Sequence, residues 1–390
     1  MAEQTPIVVV GTGLAGYSLV RELRKQDTQK AVVMVTADDG TSYSKPMLST
    51  GFTKNKDAGG LAQASAETMA DQLDADILTH TRVVSIDADN HELVLESEAA
   101  GDYRLAYSKL VLAWGAEPVH LDLAGDGQGR VVSINDLLDY RAFREAVDGR
   151  QRIAIMGAGL IGCEFANDLH NGGYQVDVIA PDERVMPGLL PEPASAAVQS
   201  ALAELGVEFH LGTVVERVDR DGEGVKLTLA NGQTFQADRV LSAVGLRPRT
   251  ELAEAAGVRV NRAIAVNRAL ETSVPDIYAL GDCAEVDGHV LMYVLPLMAC
   301  ARALAKTLAG ERTEVRYGVM PVMVKTPCCP TAVYPPPADA EGQWQVESEG
   351  SSVRAEFRSP AGETLGFAVT GDYAVEKQAL ARKVPAIHPT

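Results

Sequence analysis

The sequence predicts an α/β fold: two three-layer units built on parallel sheets, followed by a small α+β domain. Three observations predict it. A short β-branched apolar run, a glycine-rich turn and an amphipathic helix occur in that order near residue 7 and again near residue 153. The chain has 390 residues, enough for two or three domains at roughly 100–200 residues each. Its last seventy or so residues alternate apolar and polar positions around a proline cluster, with no further glycine turn.

The first unit opens with Ile7-Val8-Val9-Val10, a strand buried on both faces by its composition. Gly11-Thr12-Gly13-Leu14-Ala15-Gly16 follows, then a helical pattern from Tyr17 to Lys25 and a strand from Ala31 to Thr36. Strand patterns continue at Arg82 to Asp87, His91 to Glu96 and Leu110 to Trp114. The second unit repeats the opening: Ile153 to Met156, then Gly157-Ala158-Gly159-Leu160-Ile161-Gly162, a helix from Cys163 to about Asn171, and a strand from Gln175 to Ile179. When the two openings are aligned, Ile, Leu and all three glycines coincide. Strands are expected at Val207 to Leu211, Val225 to Leu229 and Arg239 to Val244, with Asn231-Gly232 as a hairpin turn. An amphipathic helix is expected from Pro296 to Gly310. The tail carries strand patterns at Trp344 to Val346, Val353 to Phe357 and Thr364 to Val369.

Fifty-three acidic against 35 basic residues give a net charge of −18, which excludes broad binding to nucleic acid or an anionic membrane. No apolar run reaches the roughly 20 residues of a membrane helix. Met1-Ala2-Glu3-Gln4-Thr5 lacks the charged and apolar regions of a signal peptide, so a cytoplasmic protein is expected. The cysteines are Cys163, Cys283, Cys300, Cys328 and Cys329, with no C-x-x-C pair. Cys163 and Cys300 read as core residues. The histidines show no ligand spacing, and no metal is assigned.

A G-x-G-x-x-G between strand and helix is the turn of a Rossmann-like dinucleotide-binding unit. The first glycine makes the turn, the second lets phosphate approach the helix N-terminus, and the third lets helix and strand pack closely. Two copies imply two dinucleotides, naturally FAD in the first unit and a nicotinamide cofactor in the second. An acid at the end of the second strand binds ribose hydroxyls; Asp38 stands at the expected distance, with Asp39 as the alternative. In the second unit that strand ends at Ala180, with Asp182 and Glu183 beyond, and no arginine stands at the strand end to meet a 2′-phosphate. NADH is therefore expected over NADPH. The FAD domain is expected at residues 1–113 and 243–317, the NAD domain at 114–242 and the C-terminal domain at 318–390.

Thr272 to Asp282, ending Tyr278-Ala279-Leu280-Gly281-Asp282, resembles the second FAD fingerprint of the pyridine-nucleotide disulfide oxidoreductase superfamily. Ala113-Trp114-Gly115 and Ala243-Val244-Gly245-Leu246-Arg247-Pro248 resemble two further elements of it, with Trp114 as a departure. Members that relay electrons through a thiol carry a reactive cysteine in the first FAD-domain helix region, and here no cysteine precedes Cys163. The resemblance then implies the branch that hands single electrons from flavin to a small iron protein. Tyr43 to Ser49, Gly162-Cys163-Glu164-Phe165-Ala166, Pro296 to Ala305 and Pro321 to Pro327 are similar to the rubredoxin–NAD⁺ reductases of the pseudomonad type.

That resemblance implies an FAD-dependent oxidoreductase passing electrons from NADH to rubredoxin, an acidic iron protein, in support of an alkane hydroxylase or an oxygen and oxidative-stress response. It implies FAD contacts at Lys45, Pro46, Val83, Ala113, Trp114, Gly115, Glu164, Gly281, Asp282, Val294, Leu295 and Lys325, besides Gly11 to Gly16 and Asp38. It implies NAD contacts at Gly157, Gly159, Leu160, Ile161, Gly162, Asp182 and Gly245. Relatives place a lysine after the Leu-Ser of the loop to pair with the glutamate. Here Ser49 is followed by Thr50, so Glu164 needs another cation, and Lys45 and Lys325 are the candidates. Lys45 and Lys325 are assigned to favour reduced flavin, and Asp282 is expected to open a helix with Cys283-Ala284. Arg302, Lys306, Arg312, Arg316 and Lys325, against Glu311 and Glu314, form the candidate docking surface. The short C-terminal segment favours a monomer. A reductase of a ferredoxin or of a flavorubredoxin-type nitric oxide reductase is the alternative. A redox-sensing FAD/NAD-binding protein of the apoptosis-inducing-factor type is disfavoured by the acidic charge.

Overall fold

The computed structural model describes residues 5–97 and 99–388. Met1 to Gln4, which underlie the signal-peptide expectation, lie outside the described residues. The chain divides into two compact units, one of residues 1–45, 62–117 and 246–317, the other of 46–61, 118–245 and 318–390.

In the first unit a five-stranded parallel sheet runs in the order Ile277–Ala279, Lys109–Leu112, Ile7–Val10, Val32–Val35, Asp76–Leu78. The helix Leu14–Gln26 leaves the glycine turn and packs along Val294–Leu308. A three-stranded antiparallel sheet, Thr81–Asp87, Glu92–Ser97 and Gly101–Ala106, is appended. The second unit repeats the plan. Its parallel sheet runs Val131–Val132, Arg239–Ser242, Arg152–Met156, Gln175–Ala180, Glu208–Leu211. Its antiparallel sheet is Val215–Asp221, Gly224–Leu229 and Thr234–Ala237, and the Asn231-Gly232 hairpin lies where expected, with Gly232 at φ +83°.

Residues 318–388 also belong to the second unit. They form a five-stranded antiparallel sheet ordered Val322–Val324, Thr331–Tyr334, Thr364–Thr370, Ser352–Arg358, Gln343–Glu349. The helix Glu192–Glu204 packs against it. Short helices at Gly371–Glu376 and Lys377–Ala381 follow, and Leu380 and Val384 join Phe367, Val369, Ala332 and Tyr334 in its core.

Two expectations are corrected. The helix expected from Pro296 begins at Val294, because proline is tolerated within a first turn whose N–H groups have no intrahelical partner. Asp282 opens no helix. Gly281 turns the chain at φ +81°, Ala284 N–H donates to Gly281 O at 3.0 Å, and Ala284–Val286 continues as a strand parallel to Ile264–Val266. Among the described residues no helix is long and apolar enough to cross a membrane.

One buried acid organises the C-terminal sheet. Glu356 accepts from Arg354 at 2.6 Å, Arg358 at 2.6 Å and the Thr364 hydroxyl at 3.2 Å, with Lys383 at 3.6 Å. Burial alone would raise its pKa, but the Arg354 hydrogen bond and the charges of Lys383 and Arg358 outweigh that and hold it below the usual glutamate range. A group whose folded pKa is depressed stabilises above its unfolded pKa and loses that contribution as pH falls through the folded value. Glu356→Gln, which leaves three cations around a neutral group, is expected to cost about 2–4 kcal/mol at pH 7. The difference should shrink as pH falls through the depressed folded value, below the usual glutamate range, where the native glutamate at last takes up its proton. Denaturant melts of both proteins across pH check it, and equal stability at pH 7 would refute it.

Candidate functional site

Both glycine turns are built to the same dimensions. A Cβ on Gly11 would lie 2.4 Å from Ala113 O, and one on Gly157 would lie 2.4 Å from Ala243 O. These two glycines also sit at φ +113° and +106°. A Cβ on Gly16 or Gly162 would come within about 2 Å of the carbonyl of the first glycine in its own turn, at 1.9 and 2.0 Å. Only the absence of a side chain permits these approaches.

The middle glycines differ. Gly13 and Gly159 have no atom within 4 Å of where a Cβ would be, and both have negative φ. They cap their helices with no side-chain acceptor for the first-turn N–H groups. Open space in front of uncapped N–H groups fits a phosphate. Leu14 and Leu160 start the helices, Ala15 is buried behind the first turn, and Ile161 is exposed.

At the end of the second strand, Asp38 Oδ1 accepts from Thr36 Oγ1 at 2.6 Å, Gly40 N at 2.9 Å and Thr12 Oγ1 at 3.5 Å. All three reach one oxygen and leave Oδ2 uncommitted among the described residues, which fits a ribose hydroxyl. Asp39 instead caps its own turn through Thr41 N at 2.9 Å. In the second unit Asp182 is exposed, and its carbonyl accepts from Gly212 N at 3.1 Å. Arg184 donates to the Leu190 and Pro187 carbonyls at 3.0 and 3.5 Å and is thereby turned into its own loop.

Trp114 has a structural reason. Its Nε1 donates to Arg249 O at 3.0 Å, and Arg249 Nη1 donates back to Trp114 O at 2.9 Å. Gly115 and Gly245 occupy matching places three residues beyond Lys109–Leu112 and Arg239–Ser242, the strand beside the first glycine's strand in each parallel sheet, at φ +72° and +122°. Val83 is buried in Thr81–Asp87. Burial pushes the Asp282 carboxyl up, and the charge of Lys45 opposes that. Tyr293, Val294 and Leu295, at the start of Val294–Leu308, are large apolar residues left exposed.

Glu164 is an acid buried on the helix Leu160–Asn171. Its residue surface is 0% exposed. Oε2 accepts from Ser49 Oγ at 2.7 Å and from the Lys325 ammonium; Oε1 accepts from Lys325 N at 2.9 Å. Lys325 is therefore the cation that Glu164 takes in place of the lysine missing at position 50. Thr50 spends its hydroxyl on Met47 O at 2.9 Å. Pro46 lies in the same 3₁₀ segment, Lys45–Thr50. The Lys325 side chain retains 30% exposure while its ammonium is held by the fully buried Glu164.

Of the docking candidates, Arg302 and Arg316 are exposed and Lys306 half-buried, whereas Arg312 is held by Glu271 at 2.8 and 3.0 Å. The structure also gathers Asp177, Glu208 and His210. Arg152 occupies those carboxylates, at 2.6 and 2.8 Å from Asp177 and 3.1 Å from Glu208. Sequence reasoning missed Asn167 and Asp168, polar residues on the buried face of Leu160–Asn171. Their spacing three and four residues from Glu164 is the signal that marks them.

Residues 5–305 match the pyridine nucleotide-disulphide oxidoreductase family, and residues 314–384 match the rubredoxin binding C-terminal domain. A rubredoxin-NAD(+) reductase of Alcanivorax borkumensis is 54% identical over 385 residues, covering 98% of this chain and 100% of that protein. One from Acinetobacter baylyi is 47% identical over 389 residues, covering 98% and 99%. The crystal structure of a ferredoxin reductase for the CYP199A2 system from Rhodopseudomonas palustris shares the fold, with a TM-score of 0.86 at 24% identity, covering 99% of this chain and 96% of that one. With the paired glycine turns and these full-length similarities together, the chain belongs to the pyridine nucleotide-disulphide oxidoreductase family.

Proposed function

We propose that this protein is a flavoprotein reductase that passes electrons from NADH through FAD to rubredoxin, one at a time. The observation that carries the reading is the 54% identity along the whole chain to a protein named rubredoxin-NAD(+) reductase. The match of residues 314–384 to a rubredoxin binding domain supports the acceptor. When bound, FAD supplies the chemistry that joins the two half-reactions, accepting a hydride and releasing electrons singly.

The chain's own residues then divide the work. Gly11, Gly13 and Gly16 give the FAD pyrophosphate its approach to the first helix, and Asp38 takes the ribose. Gly157, Gly159 and Gly162 do the same for NADH. Arg184, engaged by its loop carbonyls, has no role toward a 2′-phosphate, in keeping with NADH. Lys325 and Lys45 are assigned to stabilise negative charge on reduced flavin. Glu164 anchors Lys325 and thereby fixes where its charge sits. Ala113 to Gly115, Gly281, Asp282, Val294 and Leu295 complete the assigned FAD contacts. The assigned FAD domain is residues 1–113 with 243–317, the NAD domain 114–242, and the C-terminal domain 318–390. A cytoplasmic monomer is proposed, and all five cysteines are free thiols, as a reducing compartment keeps them.

Docking needs a local positive patch, because the chain is acidic overall. With Arg312 neutralised by Glu271, the proposal centres on Arg302, Lys306 and Arg316.

Two outcomes are expected. Gly159→Ala fits its backbone and its Cβ meets no protein atom within 4 Å, so thermal stability should stay within about 2 °C while KM for NADH rises about tenfold or more. Unchanged NADH kinetics would refute the assignment. Charge reversal of both Arg302 and Lys306 should raise KM for rubredoxin about tenfold at low salt, with the increase shrinking as salt rises. Rubredoxin kinetics that do not change would place docking elsewhere.

A further inference from the structure

The backbones around the two glycine turns match bond by bond. Gly11 N donates to Val35 O at 2.8 Å, and Gly157 N donates to Ile179 O at 2.7 Å. Thr81 N donates to Thr36 O at 2.9 Å, and Thr213 N to Ala180 O at 3.1 Å. His80 N donates to Asp38 O at 2.9 Å, and Gly212 N to Asp182 O at 3.1 Å. These bonds make Ala180 the equivalent of Thr36, Asp182 of Asp38 and Arg184 of Gly40. The aligned glycines make Ala158 the equivalent of Thr12 and Cys163 of Tyr17. The acid beyond the second strand is thus present in both units, at the same backbone position.

What surrounds the two acids differs. Asp38 is held through one oxygen by Thr36, Thr12 and Gly40 N, as described above. Gly40 is itself braced, because the Tyr17 hydroxyl donates to its carbonyl at 2.5 Å. In the second unit every one of those hydroxyls is missing. Ala158 and Ala180 have none and are buried, and the Cys163 thiol donates to Ala158 O at 3.5 Å. Among the described residues no hydrogen bond or ion pair reaches the exposed Asp182 carboxylate. The loop that carries it is nonetheless tied down. Met186 N donates to Ala158 O at 2.8 Å, Arg184 is held by the Leu190 and Pro187 carbonyls, and Ser195 Oγ donates to Val185 O at 2.5 Å. The Asp182 backbone is therefore fixed, and its carboxylate alone is free to turn.

An acceptor already held in place meets a ribose hydroxyl without losing rotamer freedom, whereas an acceptor free to turn loses that freedom on binding. One acid at one backbone position therefore gives a tighter site in the first unit and a looser one in the second. We propose that Thr12, Thr36 and Tyr17 make the first turn a site for a resident dinucleotide, and that Ala158, Ala180 and Cys163 make the second a site for an exchanging one, by deciding whether the acid is fixed before the ribose arrives. The division suits the two nucleotides: FAD stays through the reaction, while NAD⁺ must leave in every cycle. The inference rests on the function proposed above and names the positioning residues by which one turn serves both a cofactor and a co-substrate.

The test is calorimetric titration of NAD⁺ into the oxidised, FAD-loaded full-length protein. Ala180→Thr restores the hydroxyl that holds the acid in the first unit. It should tighten NAD⁺ binding about fivefold, and the same change made in an Asp182→Ala background should give no gain, because the hydroxyl acts only through that acid. FAD content should match wild type, since the first turn is untouched. Unchanged or weaker NAD⁺ binding in a folded Ala180→Thr protein overturns the proposal. So does a gain that survives without Asp182. Should Ala180→Thr fail to fold, Thr36→Ala, which only removes atoms, makes the converse test by FAD fluorescence on dilution. It should release FAD about fivefold faster than wild type while the FAD-loaded fraction binds NAD⁺ as before. FAD release at the wild-type rate overturns the proposal. A wild-type protein that holds FAD but binds no NAD⁺ would show instead that the proposed function has failed, and this inference with it.

Discussion

Two helix starts are pressed against the chain that leaves the neighbouring strand of each parallel sheet, and most of the molecule follows from that contact. Gly11 touches the backbone at Ala113 and Gly157 touches it at Ala243, each at a distance no other residue permits. The third glycine of each turn then closes on the first. These contacts bring a helix N-terminus to the sheet edge with its first-turn N–H groups uncapped. Such an end attracts phosphate through hydrogen bonds and the helix dipole together. The chain does this twice, in units whose parallel sheets and appended three-stranded sheets match.

The second contact has a further consequence. Gly162 fixes the register of Leu160–Asn171, and so fixes the buried face on which Glu164 falls two residues later. A carboxylate removed from water must be paired and hydrogen-bonded, or it is neutralised. Glu164 meets the demand with a hydroxyl, a backbone N–H and an ammonium drawn from two remote segments. The same helix that presents N–H groups to a nucleotide therefore also locates Lys325. Nucleotide binding and the placement of a cation are two properties of one rigid element.

Much of this was legible in the sequence because it depends on local backbone demands. The glycine turns, the strand before each and the acid after the second strand can be read wherever they fall. Glu164 was marked by the resemblance rather than by local pattern, and the lysine that relatives carry at position 50, absent here, narrowed its partner to Lys45 or Lys325. Elements whose existence depends on distant pairing were not legible. Val322–Val324 and Thr331–Tyr334 are short strands that exist through the C-terminal sheet. Asp282 was expected to open a helix with Cys283-Ala284, whereas Ala284–Val286 is a strand that exists through its parallel partner Ile264–Val266, twenty residues upstream. Asp168 and Asn167 were not singled out; their spacing from Glu164 puts them on its helix face, but their partners, Phe52, Thr53 and Cys328, are remote in sequence. The charge pattern at 302–327 overstated the free positive charge, because Glu271, which holds Arg312, lies outside that stretch.

The central claim is that two nucleotide sites in one chain form a single electron path from NADH to a one-electron iron acceptor. The most direct measurement is an anaerobic NADH titration of the FAD-loaded protein, followed by oxidised rubredoxin. The account predicts prompt bleaching of the flavin, then rapid reduction of rubredoxin as the flavin colour returns, two rubredoxins for each hydride. Flavin that bleaches but holds its electrons in the presence of rubredoxin would contradict the account at the acceptor, and flavin that NADH leaves oxidised would contradict it at the first step.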